Sequence, residues 1–230
     1  MLYTQESVRA NIRNRDGKRV FFLGDQDTLT PGARDFLRQE RIEIRPAKDA
    51  AIEEYRLLCG AVLHHKPEHM THLHGSTLVS KTHPRIAFRG AMDTLEAELL
   101  WCQFSVDDPY ASQIGNILEF ARLLIRCEVL DTPVTQETLC GLTEDALRSH
   151  SHRPQDYYGQ PHFMPAAGDA QTVLLLNRCR CAVRAAELAA AHAFTDSEGN
   201  CTRTDILKAL NRMSSMVYIL MIQAKSEQCK

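Results

Sequence analysis

The chain has 230 residues, 44% hydrophobic and 24% charged, with a formal net charge of −2, enough apolar material for one main domain and a small appendage. The near-balanced charge shows no basic excess of the kind that nucleic-acid binding usually rests on, so no nucleic-acid partner is expected. No apolar run approaches the ~18 residues of a membrane span and no signal-like pattern opens the chain, so a soluble, cytoplasmic protein is expected. Eight cysteines form no short secreted framework. Because Cys102, Cys127, Cys179 and Cys181 fall inside expected helices, reduced thiols are expected.

In chain order, Val20-Phe21-Phe22-Leu23 reads as a short buried strand. Thr30-Pro31 reads as a helix start, Thr30 capping and proline at the first position, and Ile42-Glu43-Ile44 alternates like a second strand. These make a small N-terminal α/β appendage, which with its linker takes residues 1–65. From Pro46 to about Thr82 the periodicity fades and histidines accumulate at 64, 65, 69, 72 and 74, the pattern of a partly ordered linker. His65 and His69 would share a helical face, whereas His72 and His74 would share a strand face. No single backbone conformation gathers them, and no metal site is expected.

After Pro84 the pattern is helical. Phe88, Met92, Leu95, Leu99 and Cys102 make one apolar stripe; Ile114, Ile117, Leu118, Ala121, Leu124 and Ile125 make a second. Thr132-Pro133 reads as a further helix cap, and Thr143 as the start of a short helix through Leu147. Residues 149–169, rich in His, Pro, Gly and Tyr, read as a loop. Long helices are expected at about 170–194 and 204–224, parted by the turn residues Asp196-Ser197-Glu198-Gly199-Asn200. The fold class is therefore mainly α, residues 66–230 forming a four-to-five-helix bundle.

Three segments carry chemistry. Between Lys81 and Asp93 a basic, proline-containing loop runs into a helix, placing Lys81 and Arg85 near its positive end and Asp93 further in, an arrangement suited to a polyphosphate. Arg180, Arg184 and Glu187 fall at i, i+4 and i+7 of a helix and share a face. Asn211 borders the stripe Leu207, Leu210, Ser214, Val217 and Met221. Each segment also has an ordinary reading, as a solvated surface or a salt-bridged helix. No Gly-rich phosphate loop and no paired carboxylates for metal-held water are visible, which argues against a simple ATPase or phosphohydrolase.

Taken together and in order, these segments resemble the ATP:corrinoid adenosyltransferases. Lys81 to Asp93 is similar to the phosphate-contacting lysine and the "DPRV-x-x-x-G-x-x-D" element of the propanediol-utilisation type. Arg180 to Glu187 is similar to its "R-x-x-x-R-x-x-E" helix, and Ala209-Leu210-Asn211-Arg212-Met213-Ser214 to its "x-LNRLS" helix. The ethanolamine-utilisation branch is a closer match, through Leu29-Thr30-Pro31-Gly32-Ala33-Arg34, Lys66-Pro67, Thr71-His72-Leu73, Gly141-Leu142-Thr143-Glu144-Asp145, Ser151-His152-Arg153-Pro154 and Asp205-Ile206-Leu207-Lys208. That branch commonly carries a histidine and a Cys-Cys-x-x-Cys group before the Lys-Pro dipeptide. Here Tyr55 and Arg56 stand at the paired cysteines and only Cys59 remains, too few thiolates for a Cys-rich zinc or iron site.

The resemblance implies transfer of the 5′-deoxyadenosyl group of ATP to the Co(I) of a corrinoid, giving adenosylcobalamin and triphosphate, with Mg²⁺ required. It implies Asp93 and Arg184 as the catalytic pair, joined across a subunit boundary. It further implies Thr71, His72, Lys81, Arg85, Arg180, Arg184, Glu187 and Asn211 as ATP-binding residues. Phe120, Trp101, Phe163 and Tyr157 are candidates for the apolar wall under the corrin. The implied assembly is a homo-oligomer, trimer or dimer, whose partners are a cobalt reductase and ethanolamine ammonia-lyase in or near a bacterial microcompartment. A non-catalytic corrinoid carrier or scaffold with the same bundle is the alternative. Against it stands the set Lys81, Asp93, Arg184, Glu187 and Asn211, which a scaffold has no physical reason to keep.

Overall fold

The computed structural model describes residues 1–15, 18–49 and 55–228; residues 50–54 of the expected linker lie outside that set. Two compact units divide the chain, one of Met1–Tyr55 with Val62–His65 and one of Arg56–Ala61 with Lys66–Lys230.

The first unit contains β1 (Leu2–Tyr3), α1 (Gln5–Ala10), β2 (Arg13–Arg15), β3 (Lys18–Leu23), β4 (Thr28–Leu29), α2 (Pro31–Gln39) and β5 (Glu43–Pro46). Thr30 caps α2, its Oγ1 accepting from the Ala33 N–H at 3.3 Å, and Pro31 occupies the first turn, where its missing N–H costs nothing. β3 runs parallel to β5, Phe21 opposite Ile44, and antiparallel to β2. The core is Val8, Phe21, Leu29, Ala33, Phe36, Leu37 and Ile42. The strand expected at 20–23, the cap at Thr30 and the strand near 42–44 are all present.

The chain continues through β6 (Tyr55–Leu57), β7 (Val62–Leu63), β8 (Met70–His74) and β9 (Thr77–Ser80). The described residues from Tyr55 to Ser80 are therefore more ordered than their faded periodicity suggests. β8 and β9 form an antiparallel hairpin turning at Gly75, whose φ of +50° suits glycine, and Arg56 and Leu57 of β6 lie parallel to Thr77 and Leu78. Leu73, Leu78 and Val79 are buried while His72 and His74 are exposed. The strand signal is thus real alternation, masked because its polar positions are histidines.

Four long helices dominate the second unit: α3 (Pro84–Ser105), α4 (Tyr110–Leu130), α7 (Gln171–Phe194) and α8 (Thr204–Gln228). α3 and α7 run antiparallel: Phe88 meets Phe194 edge to face at 5.4 Å near one end, and Arg178 meets Glu98 at 2.8 Å towards the other. Both expected stripes are buried except for Ile125, which is partly buried, along with Val173, Leu176, Val183, Ala186, Leu210, Met213, Val217 and Leu220. On burial alone each full-sized aliphatic side chain contributes about 1.5–3 kcal/mol.

Between α4 and α7 two expectations need correcting. Thr132-Pro133 starts no helix. Instead the Val134 N–H donates to Asp205 Oδ2 at 3.0 Å and Arg203 donates to the Thr132 carbonyl at 2.9 Å, so the segment is laced to the start of α8. A hairpin of β10 (Thr138–Leu139) and β11 (Leu142–Thr143) follows. Thr143 does cap a helix, but α5 runs from Glu144 to His152, and α6 (Pro154–Tyr158) follows where loop was expected. Pro154 ends α5 and seats α6, since proline disfavours a helical residue before it but suits a first turn. Among the described residues no helix is long and apolar enough to cross a membrane.

Candidate active site

α7 and α8 pack antiparallel, and beside their seam the loop 159–170 closes a cavity of about 640 Å³. α7 contributes Asn177, Arg180 and Arg184, at i, i+3 and i+7 and therefore on one face; α8 contributes Asn211, Ser214 and Tyr218. Arg180 is half-buried, its guanidinium carbon 5.0 Å from the centre of the Tyr218 ring, and its Nε is buried with no acceptor. Arg184 is exposed. Among the described residues neither arginine meets a carboxylate. Two guanidinium groups without a carboxylate on one cavity wall, one of them with a buried donor lacking an acceptor, suit an anionic ligand. At the α7–α8 seam Asn211 Nδ2 donates to Glu187 Oε1 at 3.1 Å, which fixes the amide.

Phe163 and Met164 stand in the loop that lines the cavity. The loop is tied to the end of α8: Asp169 pairs with Lys225 at 2.5 Å, the Ala170 N–H donates to Gln228, and Lys225 lies 5.9 Å from the Phe163 ring centre. The hydrogen bond from Lys225, helped by the Ala166 N–H, holds the Asp169 carboxyl below the usual aspartate range. The other three aromatic candidates are engaged elsewhere. Phe120 packs in the core, Trp101 is exposed on α3 beside Phe104, and Tyr157 stacks on His150 at 3.8 Å.

The entry to α3 is built differently. His83 caps the helix, its Nδ1 accepting from the Arg85 N–H at 3.2 Å; burial, then the charges of Arg85 and Arg89, push its pKa down and keep that nitrogen free to accept. Arg85 donates through Nε to Glu128 Oε1 at 2.6 Å and through Nη2 to the Glu128 carbonyl at 3.1 Å. Arg89 donates to Glu128 Oε2 at 2.7 Å and to the Leu73 carbonyl at 2.8 Å. Glu128 is fully buried. Arg85 is thus committed to the framework. Sequence reasoning missed Arg89 and Glu128, although a lone glutamate at the end of an apolar stripe, opposite two arginines at i and i+4, is a legible request for partners.

Lys81 is exposed just past β9. Thr71 sits opposite Val79 on β8, and His72 Nδ1 lies 3.0 Å from the Gly75 carbonyl, which bridges the hairpin turn. Asp93 is exposed and shares a face of α3 with Leu100, Trp101 and Phe104, which are 44, 54 and 83% exposed. Arg184 shares an outward face of α7 with Leu188, 73% exposed. Within one chain Asp93 and Arg184 form no ion pair. The structure brings Arg180, Arg184 and Asn211 to one cavity and places Glu187 beside Asn211, leaving Lys81, Thr71, His72 and Asp93 on other surfaces. Among the described residues no three His, Cys, Asp or Glu side chains converge in a metal-holding group, and the seven described cysteines are free thiols.

Residues 61–224 match the family model for cobalamin adenosyltransferase. The corrinoid adenosyltransferase EutT of Salmonella typhimurium is 31% identical over 242 residues, spanning 95% of this chain and 90% of its own; that of Escherichia coli is 29% identical, spanning 98% and 92%. Among solved structures, a variant of a PduO-type ATP:co(I)rrinoid adenosyltransferase from Lactobacillus reuteri, complexed with ATP, shares the fold. Its TM-score is 0.51 at 19% identity, covering 70% of this chain and 92% of that one.

Proposed function

The chain belongs to the cobalamin adenosyltransferase family, and on that premise we propose how its own residues carry the 5′-deoxyadenosyl group of ATP to the Co(I) of a corrinoid substrate. The observation that carries the reading is the pair of unpaired guanidinium groups, Arg180 and Arg184, on one cavity wall. In the reaction the filled axial orbital of Co(I) attacks C5′, the C5′–O bond breaks, and triphosphate departs with the electron pair. The nucleophile arrives with the substrate, so the protein needs none. It must hold the leaving triphosphate, aim C5′ at cobalt and exclude water.

Arg180 and Arg184 take the triphosphate with planar forks, and Lys81 of the next copy adds a point charge. Asn211, oriented by Glu187, hydrogen-bonds the nucleoside end. Thr71 and His72 line the approach as part of a hairpin held rigid by the contact of His72 with Gly75. Arg85 belongs to the framework: tied to Glu128, it sets the start of α3, the helix that follows Lys81 and carries Asp93. Asp93 of one copy pairs with Arg184 of the next, in a trimer or dimer, covering the apolar side chains that flank it on α3. Phe163 supplies the apolar wall under the corrin.

Mg²⁺ bound mainly by phosphate oxygens fits a site without a carboxylate cage, because this ion is commonly held by one or two carboxylates plus substrate phosphates. Glu187 is the protein carboxylate that would hold it, neutralising charge on the departing group. The names of the relatives carry the ethanolamine link, and ethanolamine ammonia-lyase is the consumer of the product we propose. The test is anaerobic: Co(I) corrinoid and ATP are mixed with the protein while the cobalt spectrum is followed. Conversion to the adenosylated species, reduced about 100-fold in Arg180→Ala, is the expected result. Binding of both substrates with no Co–C bond would make the protein a carrier.

A further inference from the structure

Arg180 is held in a way that a plain cavity arginine is not. Its guanidinium carbon lies 5.0 Å from the ring centre of Tyr218, two turns along α8 from Asn211. The Tyr218 hydroxyl lies 2.9 Å from His162 Nδ1, and His162 Nε2 lies 3.2 Å from the His152 carbonyl. The two ring planes are within 11° of each other. A carbonyl only accepts, so the neutral imidazole carries its proton on Nε2 and leaves Nδ1 as an acceptor. The Tyr218 hydroxyl therefore donates to it. Donation from the hydroxyl enriches the ring on which the cation rests. The result is a chain from the end of α5, through loop residue His162 and Tyr218 of α8, to Arg180 of α7.

Among the described residues no hydrogen bond or ion pair holds that guanidinium. Its Nε is buried without an acceptor, and among the described residues no carboxylate pairs with it. An arginine side chain has several rotatable bonds, and a fork aimed at phosphate is useful only if its plane is fixed before the ligand arrives. We propose that Tyr218, locked by His162, is the positioning residue that presents Arg180 to the triphosphate of ATP. The inference rests on the reading of Arg180 as a triphosphate ligand. It adds two residues, His162 and Tyr218, whose work is to orient that ligand rather than to touch the reacting atoms.

The test compares Tyr218→Leu, Tyr218→Phe, His162→Ala, the Tyr218→Phe/His162→Ala double variant, Arg180→Ala and Tyr218→Leu/Arg180→Ala in the full chain, reading KM for ATP, KM for corrinoid and ATP affinity by calorimetry. Loss of the ring in Tyr218→Leu should raise KM for ATP about fivefold to tenfold. Tyr218→Phe and His162→Ala should each raise it by roughly two- to threefold, and the double variant by no more than either, because they cut the same hydrogen bond. KM for corrinoid should stay unchanged in all of these, a split that general loosening of the bundle would not produce. In an Arg180→Ala background Tyr218→Leu should have no further effect.

Unchanged ATP affinity in Arg180→Ala would overturn the triphosphate reading itself. A loss in Arg180→Ala with none in Tyr218→Leu, or a Tyr218→Leu loss that persists without Arg180, would overturn only the positioning role. Should Tyr218→Leu fail to fold, the Tyr218→Phe and His162→Ala cycle decides alone: equal, non-additive rises in KM for ATP support the chain, while additive or absent rises refute it.

Discussion

Two arginine pairs at the same helical spacing are treated in opposite ways by this bundle. Arg85 and Arg89 on α3 converge on one fully buried carboxylate, Glu128. Arg180 and Arg184 on α7 face a cavity with no carboxylate, and one of them keeps a buried donor unsatisfied. Identical residue types at i and i+4 therefore serve a framework in one place and, in the function proposed, a ligand in the other. The difference is whether a carboxylate lies opposite. A buried charge must be neutralised, which Glu128 does for the α3 pair and which the function proposed assigns to the ligand for Arg180.

The sharpest way to break this contrast is to remove the internal carboxylate. Glu128→Ala leaves two partly buried guanidinium groups uncompensated and should lower unfolding free energy by about 3 kcal/mol, read by urea denaturation. A change within the range of an ordinary surface substitution would show that the α3 pair is not structural. The complementary change, Arg180→Ala, should leave the urea midpoint nearly unmoved and slow adenosylation about 100-fold.

The outward-facing pair sharpens the comparison further, because in the assembly proposed its carboxylate comes from another copy. Asp93→Ala and Arg184→Ala should each be nearly inactive, and a randomly reassembled equal mixture should recover about a quarter of wild-type activity, since that fraction of interfaces would join an intact Asp93 to an intact Arg184. No recovery from a mixture shown to exchange subunits would remove the cross-subunit pair.

Much of this was legible in the sequence. The apolar stripes of α3, α4, α7 and α8 repeat at helical spacing over many turns, so their helices are plain, and Thr30-Pro31 and Thr143 are true caps. What was hidden has physical causes. The β8–β9 hairpin buries only Leu73, Leu78 and Val79 behind alternating histidines. Thr132-Pro133 has the chemistry of a cap but spends its backbone groups on Arg203 and Asp205, partners some seventy residues away that no local pattern reveals. Within the site, the shared face of Arg180 and Arg184 follows from spacing alone. Arg85 read as a ligand because its partner Glu128 is distant in sequence, and Tyr218 and His162 gave no signal because stacking and a single hydrogen bond leave no periodicity.

Smaller effects test the edges of the two regions. Breaking the strap over the cavity with Asp169→Asn should raise KM for corrinoid roughly twofold to fivefold. Because Lys225 holds that carboxyl low, the strap's contribution is complete above the ordinary aspartate range and is lost as pH falls through the lowered value. At the α3 entry the sign is similar for a different reason. His83 has a depressed pKa, so the neutral cap stabilises the fold above the ordinary histidine value near 6.5, and that contribution is lost as pH falls from there through the depressed one. Thermal unfolding of wild type against His83→Asn, which caps without titrating, should show a gap that changes by at most about 1 kcal/mol across this window.

The central claim is that the α7 arginines bind ATP while the α3 arginine holds the fold, and calorimetric titration of ATP into Arg180→Ala and Arg85→Ala, each paired with its melting temperature, tests it most directly. Arg180→Ala should melt like wild type and bind ATP at least tenfold more weakly; Arg85→Ala should melt several degrees lower yet bind ATP with near wild-type affinity wherever it is folded. Wild-type ATP affinity in Arg180→Ala, or a loss of binding confined to Arg85→Ala, would contradict the account.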